Sequence, residues 1–371
     1  MAERVLCAPD KFRGSFSAAE AAQAMASGVI AAGAVARQMP LADGGEGTLA
    51  ALAATFPLIE EVAASDPIGQ PIVAEFRTDS TGAHALVESA TMCGQTLLSK
   101  EARNPLNVGT RGLGLMLAAL VARGFKRISV GLGGSTTNDG GAGMARALGV
   151  EFLDSAGREV GPLPGGLDCV HRVEAGSAAL DGVKLAALCD VLTPLLGDRG
   201  CTRLFATQKG ARPEDLAVLE GRLEKLVAAC ERSGLRPEHD APGAGAAGGL
   251  GFGLATFLGA ELRPGAHSIC EMLGLESEVE RADLVLTGEG SFDRQSLEGK
   301  VVSEVARLCQ THGKPLVVLA GRVEPGLALP GRARIVELRA SGGNLAGLHD
   351  LRSAAQEAVG GLELGAIVEP G

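Results

Sequence analysis

A chain of 371 residues leaves room for two domains at about 150 residues each, and 46% hydrophobic with 21% charged residues is enough to build sizeable cores. A formal net charge of −10, no Trp, no Tyr and only 10 Phe argue against nucleic-acid binding, which needs a basic face and stacking aromatics. The 54 glycines predict many turns and close backbone approaches, and so small-molecule chemistry.

The N-terminus runs directly into an apolar strand at residues 5–9, which ends at Asp10-Lys11-Phe12-Arg13-Gly14. Ser17-Ala-Ala-Glu20 has the spacing of a capping box, so a helix starts there and stops at Gly33. Residues 38–42 read as a second strand, followed by Asp43-Gly44-Gly45-Glu46-Gly47 and a helix over 48–55. Two successive strand–loop–helix units predict a parallel sheet with functional loops at the strands' C-terminal ends.

From Ile59 the texture changes. Short strands at 59–63, 72–76 and 85–88 are separated by turn chemistry such as Asp66-Pro67-Ile68-Gly69, which predicts a mixed sheet in a second domain. A helix over 110–123 leads to ISVGLGGSTTNDGGAGMARALG at 128–149. There a buried strand empties into Gly133, Gly134 and Ser135, and a helix starts near Asn138-Asp139. Such a turn either binds an anion with backbone N–H groups or serves tight packing, with Asn138 or Asp139 as a helix cap.

After a loop-rich stretch, a strand at 185–189 ends at Asp190, and Pro213 opens a helix reaching about Arg232. Residues 242–253, PGAGAAGGLGFG, read either as a backbone-lined cavity wall or as the entry to a helix over 250–258. The α/β rhythm returns with a strand at 284–287, the loop Gly288–Asp293, a helix over 296–310, strands at 316–320 and 335–338, and a last helix over 345–359. The expected fold class is α/β. A doubly wound, mostly parallel Rossmann-like domain comprises 1–61 and 281–371, with a mixed α/β domain inserted at 62–280; the helix and strand of 110–135 suit either.

Acidic residues recur just after strands: Asp10, Asp43, Asp190 and Glu289, with Asp293 close by. Each could cap a helix or form a turn, but no helix start explains Asp190, which suits a general base or a cation ligand. Lys11, Arg13, Lys209, Lys300 and Arg294 lie near glycine loops, where phosphoryl transfer needs cations; a solvated helix face is the other reading of Lys300. The six histidines are isolated and the eight cysteines form no C-x-x-C pair, so zinc and disulfide frameworks are not expected. Ser-His-Asp catalysis lacks a G-x-S-x-G elbow. Asp190 should push the Cys189 thiol up rather than activate it. No signal peptide or long apolar run is read, and a cytoplasmic protein is expected.

The blocks APDKFRGSFSA (8–18), LADGGEGT (41–48), GLGGSTTNDGGAGMARALG (131–149), CDVLTPLLG (189–197), QKGA (208–211), PGAGAAGGLG (242–251), TGEGSFDRQSLEGK (287–300) and LAGRV (319–323) together resemble the type I glycerate kinase family, in the family's order. Two departures are Ala206-Thr207 before Gln208 and Ser291-Phe292 before Asp293. The resemblance implies ATP- and Mg²⁺-dependent phosphorylation of D-glycerate, usually at the 2-hydroxyl, with the active site in an interdomain cleft. By position it implies a catalytic role for Asp190, places Asp43, Gly44, Gly45 and Glu46 facing the cleft, Asp43 as catalytic and Gly44, Gly45 and Glu46 as substrate-binding, and gives nucleotide or phosphate binding to Gly133, Gly134, Ser135, Asn138, Asp139, Glu289 and Asp293. The basic residues near the glycine loops add Lys11 to the catalytic set, Lys209 to phosphate binding and Arg13 to substrate binding. Asp190 is the candidate Mg²⁺ ligand. The expected partners are D-glycerate and ATP, with no nucleic acid and no membrane. The alternatives are a kinase for a related small hydroxy acid and a non-catalytic sensor of sugar acids.

Overall fold

The structure, a computed structural model, describes residues 3–174, 182–297, 299–338 and 346–361. Its strands are β1 (Arg4–Cys7), β2 (Val35–Gln38), β3 (Leu58–Ser65), β4 (Pro71–Thr78), β5 (His84–Glu88), β6 (Arg127–Gly131), β7 (Glu151–Leu153), β8 (Arg172–Glu174), β9 (Lys184–Leu188), β10 (Glu261–Arg263), β11 (Leu284–Glu289), β12 (Leu316–Ala320) and β13 (Ala333–Glu337). Two compact units form: Met1–Asp43 with Ala50–Thr55 and Pro264–Gly371, and Gly44–Leu49 with Phe56–Arg263.

The first unit holds a five-stranded sheet in the order β13-β12-β11-β1-β2, parallel throughout. Alternation along each strand feeds two cores. Leu6, Val285, Leu316 and Val318 pack with Cys270, Leu275, Val279, Val302 and Val305 on one face. Val5, Cys7, Leu284, Leu286 and Leu319 pack with Met25, Val29, Leu351 and Ala355 on the other. Helices therefore cover both faces of a doubly wound sheet. Its order reverses between β1 and β11, the switch point outside which ligands bind in such sheets.

The second unit holds a six-stranded sheet, β10-β9-β6-β5-β4-β3. The strands from β10 to β5 run parallel, while β4 and β3 form an antiparallel edge. Helices Arg111–Ala122 and Ala246–Leu258 supply Leu113, Met116, Leu117, Leu250 and Leu254 to its core with Phe76, Ile128 and Val130. The stretch expected to be loop-rich contains a small hairpin, β7 with β8.

Several boundaries differ from expectation. Residues 264–280, expected in the insertion, belong to the first unit, where they form helices Gly265–Leu273 and Leu275–Arg281 whose Ala266, Cys270, Leu275 and Val279 complete its core. The second strand is Val35–Gln38, and the chain beyond it stays beside β1 only through Met39 N–H to Cys7 O and Leu41 N–H to Pro9 O, both 2.9 Å. The helix expected over 48–55 is regular only at Thr48–Ala51. The one expected from Asn138 begins at Ala142, because Gly140 and Gly141 take φ of 62° and 73°. The helix expected from Ser296 is a 3₁₀ turn, Arg294–Leu297, followed by Val301–Thr311 with Lys300 as its N-cap. The last helix starts at Leu348; Leu345, its expected first residue, lies outside the described residues.

Candidate active site

At the C-terminal edge of the first unit's sheet, three loops run side by side. The Asp10 N–H donates to Gly288 O at 2.9 Å, and Leu41 is tied to Pro9. Asp43, Asp10 and Glu289 therefore follow β2, β1 and β11 in a row across the switch point. Lys11 sits between two of them: its Nζ is 3.3 Å from Asp43 Oδ1, and its N–H donates to Asp10 Oδ1 at 2.7 Å.

Asp10 is buried, and its pKa is raised to about 7, first by burial and then by the Asp43 charge, against the pull of Lys11 and Lys300. Glu289 is also raised to about 7, again chiefly by burial, with the Asp10 and Asp293 charges adding to it and Ser296 and Lys300 opposing. Its Oε1 is buried without a hydrogen-bond partner. Two carboxyls that titrate near neutrality beside two lysines form an arrangement typical of functional sites.

Around these carboxyls the edge is braced by the chain's own hydrogen bonds and ion pairs. The late acidic loop and the LAGRV block explain each other: Arg322 N–H donates to Gly290 O, Phe292 N–H to Arg322 O and Glu324 N–H to Phe292 O, extending the β11–β12 pairing. Asp293 turns its Oδ1 to the Gln295 N–H at 2.8 Å and so caps the Arg294–Leu297 turn. Arg294 pairs with Glu324 at 3.5 Å. Arg13 is exposed on a loop closed by Phe12 and Phe16, whose rings stack at 4.5 Å.

The second unit's edge is built differently. β5, β6 and β9 end together, which gathers Glu88, the loop after Gly131 and Asp190. A Cβ on Gly133 would fall 2.6 Å from Gly45 Cα, and one on Gly131 would run into Gly44 O. The two glycine loops thus stack backbone on backbone, and Gly44 and Gly45 are needed first for that contact. Glu46 is exposed beside them. Glu88, which sequence reasoning passed over, is buried and accepts from Gly47 N–H at 2.9 Å and Leu49 N–H at 3.2 Å. Its signal was the one that marked Asp10, an acid closing an apolar strand.

Asp139 is fully buried and engaged on both oxygens. Oδ2 accepts the Thr110 N–H and hydroxyl, each at 2.9 Å, and the Gly143 N–H at 3.1 Å; Oδ1 accepts the Gly141 N–H at 3.1 Å. Burial raises its pKa while these bonds lower it, and the net shift is upward. Asn138 donates from Nδ2 to Thr202 Oγ1 at 3.1 Å. Lys209 is 4% exposed and donates from Nζ to Ser135 Oγ at 3.1 Å and Thr137 O at 2.9 Å. In this loop only Gly133 and Gly134 present appreciable surface.

The 243–253 glycines pack against the same loop: a Cβ on Gly248 would run into Thr137 O, and Gly140 N–H donates to Gly248 O at 3.1 Å. Ala247, Gly248 and Gly249 all take positive φ inside the helix entry. Asp190 is half-buried, two residues beyond Leu188, which pairs with Gly131 and Arg263. Burial and the Asp190 charge push the Cys189 thiol up to about 12. No disulfide joins the eight cysteines, and among the described residues no three His, Cys, Asp or Glu side chains gather as a metal cage.

A family model described as the glycerate kinase family matches residues 5–362. The chain belongs to the glycerate kinase family. It is 40% identical over 325 residues to a Bacillus subtilis (strain 168) protein named glycerate kinase, covering 86% of this chain and 85% of that one. It is 37% identical over 323 residues to a glycerate 2-kinase of Escherichia coli (strain K12), with coverage of 86% and 85%. A crystal structure provisionally named glycerate kinase 2, from Salmonella typhimurium LT2, superposes with a TM-score of 0.83 at 32% identity, covering 98% of this chain and 99% of that one. The glycerate kinase fold is therefore present along nearly the whole chain. No helix among the described residues is long and apolar enough to cross a membrane.

Proposed function

We propose that the protein phosphorylates D-glycerate from Mg-ATP, giving 2-phospho-D-glycerate, in the cytoplasm. The observation that carries this reading is the family match over residues 5–362, with an E. coli relative named glycerate 2-kinase. The residues fit the chemistry. Phosphoryl transfer is mostly positioning and charge neutralisation, and Gly133 and Gly134 offer a rigid, exposed backbone where an anion can meet N–H groups. Lys11 and Arg13 supply charge for the glycerate carboxylate.

Mg²⁺ is commonly held by one or two carboxylates and the substrate phosphates rather than by a protein cage, so the lack of a three-residue cluster among the described residues does not count against it. A carboxylate of the required kind is present in each unit: Glu289 in the first, with its buried, unpartnered Oε1, and Asp190 in the second. The bound cation would neutralise charge on the transferred phosphoryl group. Asp190 accepts the substrate's hydroxyl proton or anchors the cation, Asp43 orients Lys11, and Asp10 and Glu289 hold protons near neutrality.

Phosphorus NMR of the product formed from D-glycerate and Mg-ATP tests the reading. The expected signals are ADP and 2-phosphoglycerate. A main product of 3-phosphoglycerate overturns the regiochemistry, and binding of glycerate without turnover overturns kinase action.

A further inference from the structure

Lys209, a candidate phosphate ligand, is held on both sides by the fold itself. It follows helix Cys201–Phe205 and is 4% exposed. Its N–H donates to Ala206 O at 3.0 Å, and the next residue, Gly210, turns with φ of 100° against the Arg103 carbonyl. The side chain is thus held on the buried side of the loop that follows β6. Its ammonium spends two donors on Ser135 Oγ and Thr137 O.

A hydroxyl that accepts from an ammonium must send its own hydrogen elsewhere, and that hydrogen is polarised by the charge behind it. The same loop is pinned by Thr136 N–H to Cys93 O at 2.8 Å and Gln95 N–H to Gly134 O at 2.9 Å, and by Gln95 Nε2 to Ser135 O at 3.2 Å. Its outer surface is Gly133 and Gly134.

We propose that Lys209 is a positioning residue of this loop, holding Ser135 and Thr137 from the buried side and so keeping the exposed Gly133–Gly134 backbone turned toward a nucleotide phosphate that Lys209 itself does not touch. This rests on the kinase reading. Asp139, Cys93 and Cys201 are the titratable groups facing the ammonium. Burial lowers its pKa to about 8, against the opposing pull of Cys201, Asp139 and Cys93. The fixed charge is therefore present at neutral pH and lost as pH rises through about 8.

The test compares wild type with Lys209→Met and Lys209→Arg. It uses steady-state kinetics with D-glycerate and Mg-ATP from neutral to alkaline pH, and amide hydrogen exchange read peptide by peptide. Removing hydrogen bonds to a charged donor should raise KM for ATP about tenfold or more in Lys209→Met, with a smaller change in kcat. Exchange should quicken at residues 133–138 and stay native elsewhere, which also shows that the variant is folded. Wild-type KM for ATP should climb through pH of about 8, whereas the Lys209→Arg profile stays flat because guanidinium keeps its charge. A Lys209→Met protein with native loop exchange, or with kcat lowered at unchanged KM, overturns the proposal. If wild type does not turn over glycerate, the kinase reading fails, and the exchange comparison still decides whether Lys209 holds the loop.

Discussion

Asp10 and Asp139 both follow buried parallel strands beside glycines, and both are almost wholly buried, yet they do opposite things. In the first unit, Asp10 accepts one N–H, from Lys11, stands in the fields of Asp43 and Lys300, and titrates near neutrality. In the second, Asp139 collects four donors, three of them backbone N–H groups, and ties its loop to the start of helix Arg111–Ala122. A carboxylate whose oxygens are saturated by the fold is structural. One that is buried without such saturation keeps an uncompensated cost, which ligand or proton can relieve.

The sharpest way to break this contrast is Asp139→Ala. Three backbone N–H groups and the Thr110 hydroxyl would lose their acceptor, at about 1–3 kcal/mol for each buried donor. Urea unfolding should show a loss of at least about 3 kcal/mol, and a near-native midpoint would mean that the loop re-pairs without it. Next is Asp190→Asn, which keeps size and removes charge. A positioned base contributes roughly 10²–10⁴ in rate, so kcat with D-glycerate should fall at least about a hundredfold with little change in Tm. Native turnover would reduce Asp190 to a turn residue and make Asp43 the next carboxylate to test.

A smaller effect is expected from pH. Asp10 is raised from 3.8 to about 7 and Glu289 from 4.5 to about 7, so the folded state binds more protons than the unfolded one between those values. The contribution of these two groups to stability should therefore be greatest below their unfolded pKa values and fall as pH rises toward 7. Asp10→Asn should flatten the dependence of Tm on pH across that window. A wild-type Tm that climbs steadily from pH 4 to 7 with no contribution lost in Asp10→Asn would contradict the shift. The smallest expected change is Ser17→Ala, which removes the cap of helix Ala18–Ala31, where both halves of the capping box are formed. It should cost about 1 kcal/mol and leave kcat untouched.

Much of the frame is legible in the residues. The apolar runs that became β1, β5, β6, β9, β11 and β12 are local patterns of period two or of continuous burial, and the Ser17–Glu20 box acts over three residues. Glycine turns announce where strands end, so the candidate loops could be marked in advance. The site was less legible. Asn138 and Asp139 share a glycine-rich block with Gly133 and Gly134, yet only the glycines keep an open surface. Glu88 has the same strand-end signal as Asp10 and serves the backbone at Gly47 and Leu49 instead.

By itself the sequence determined the strongly apolar strands, the turns and the helix cap, because these depend on neighbours a few residues away, and its ordered blocks determined the family. Tertiary structure alone decided which charges are satisfied. The Thr110 donors lie 29 residues from Asp139, Ser135 lies 74 residues from Lys209, and β1 takes β11 as its neighbour across most of the chain. Whether a buried carboxylate meets backbone donors or another carboxylate depends on which strands end side by side, and sheet order is a property of packing that no local pattern encodes.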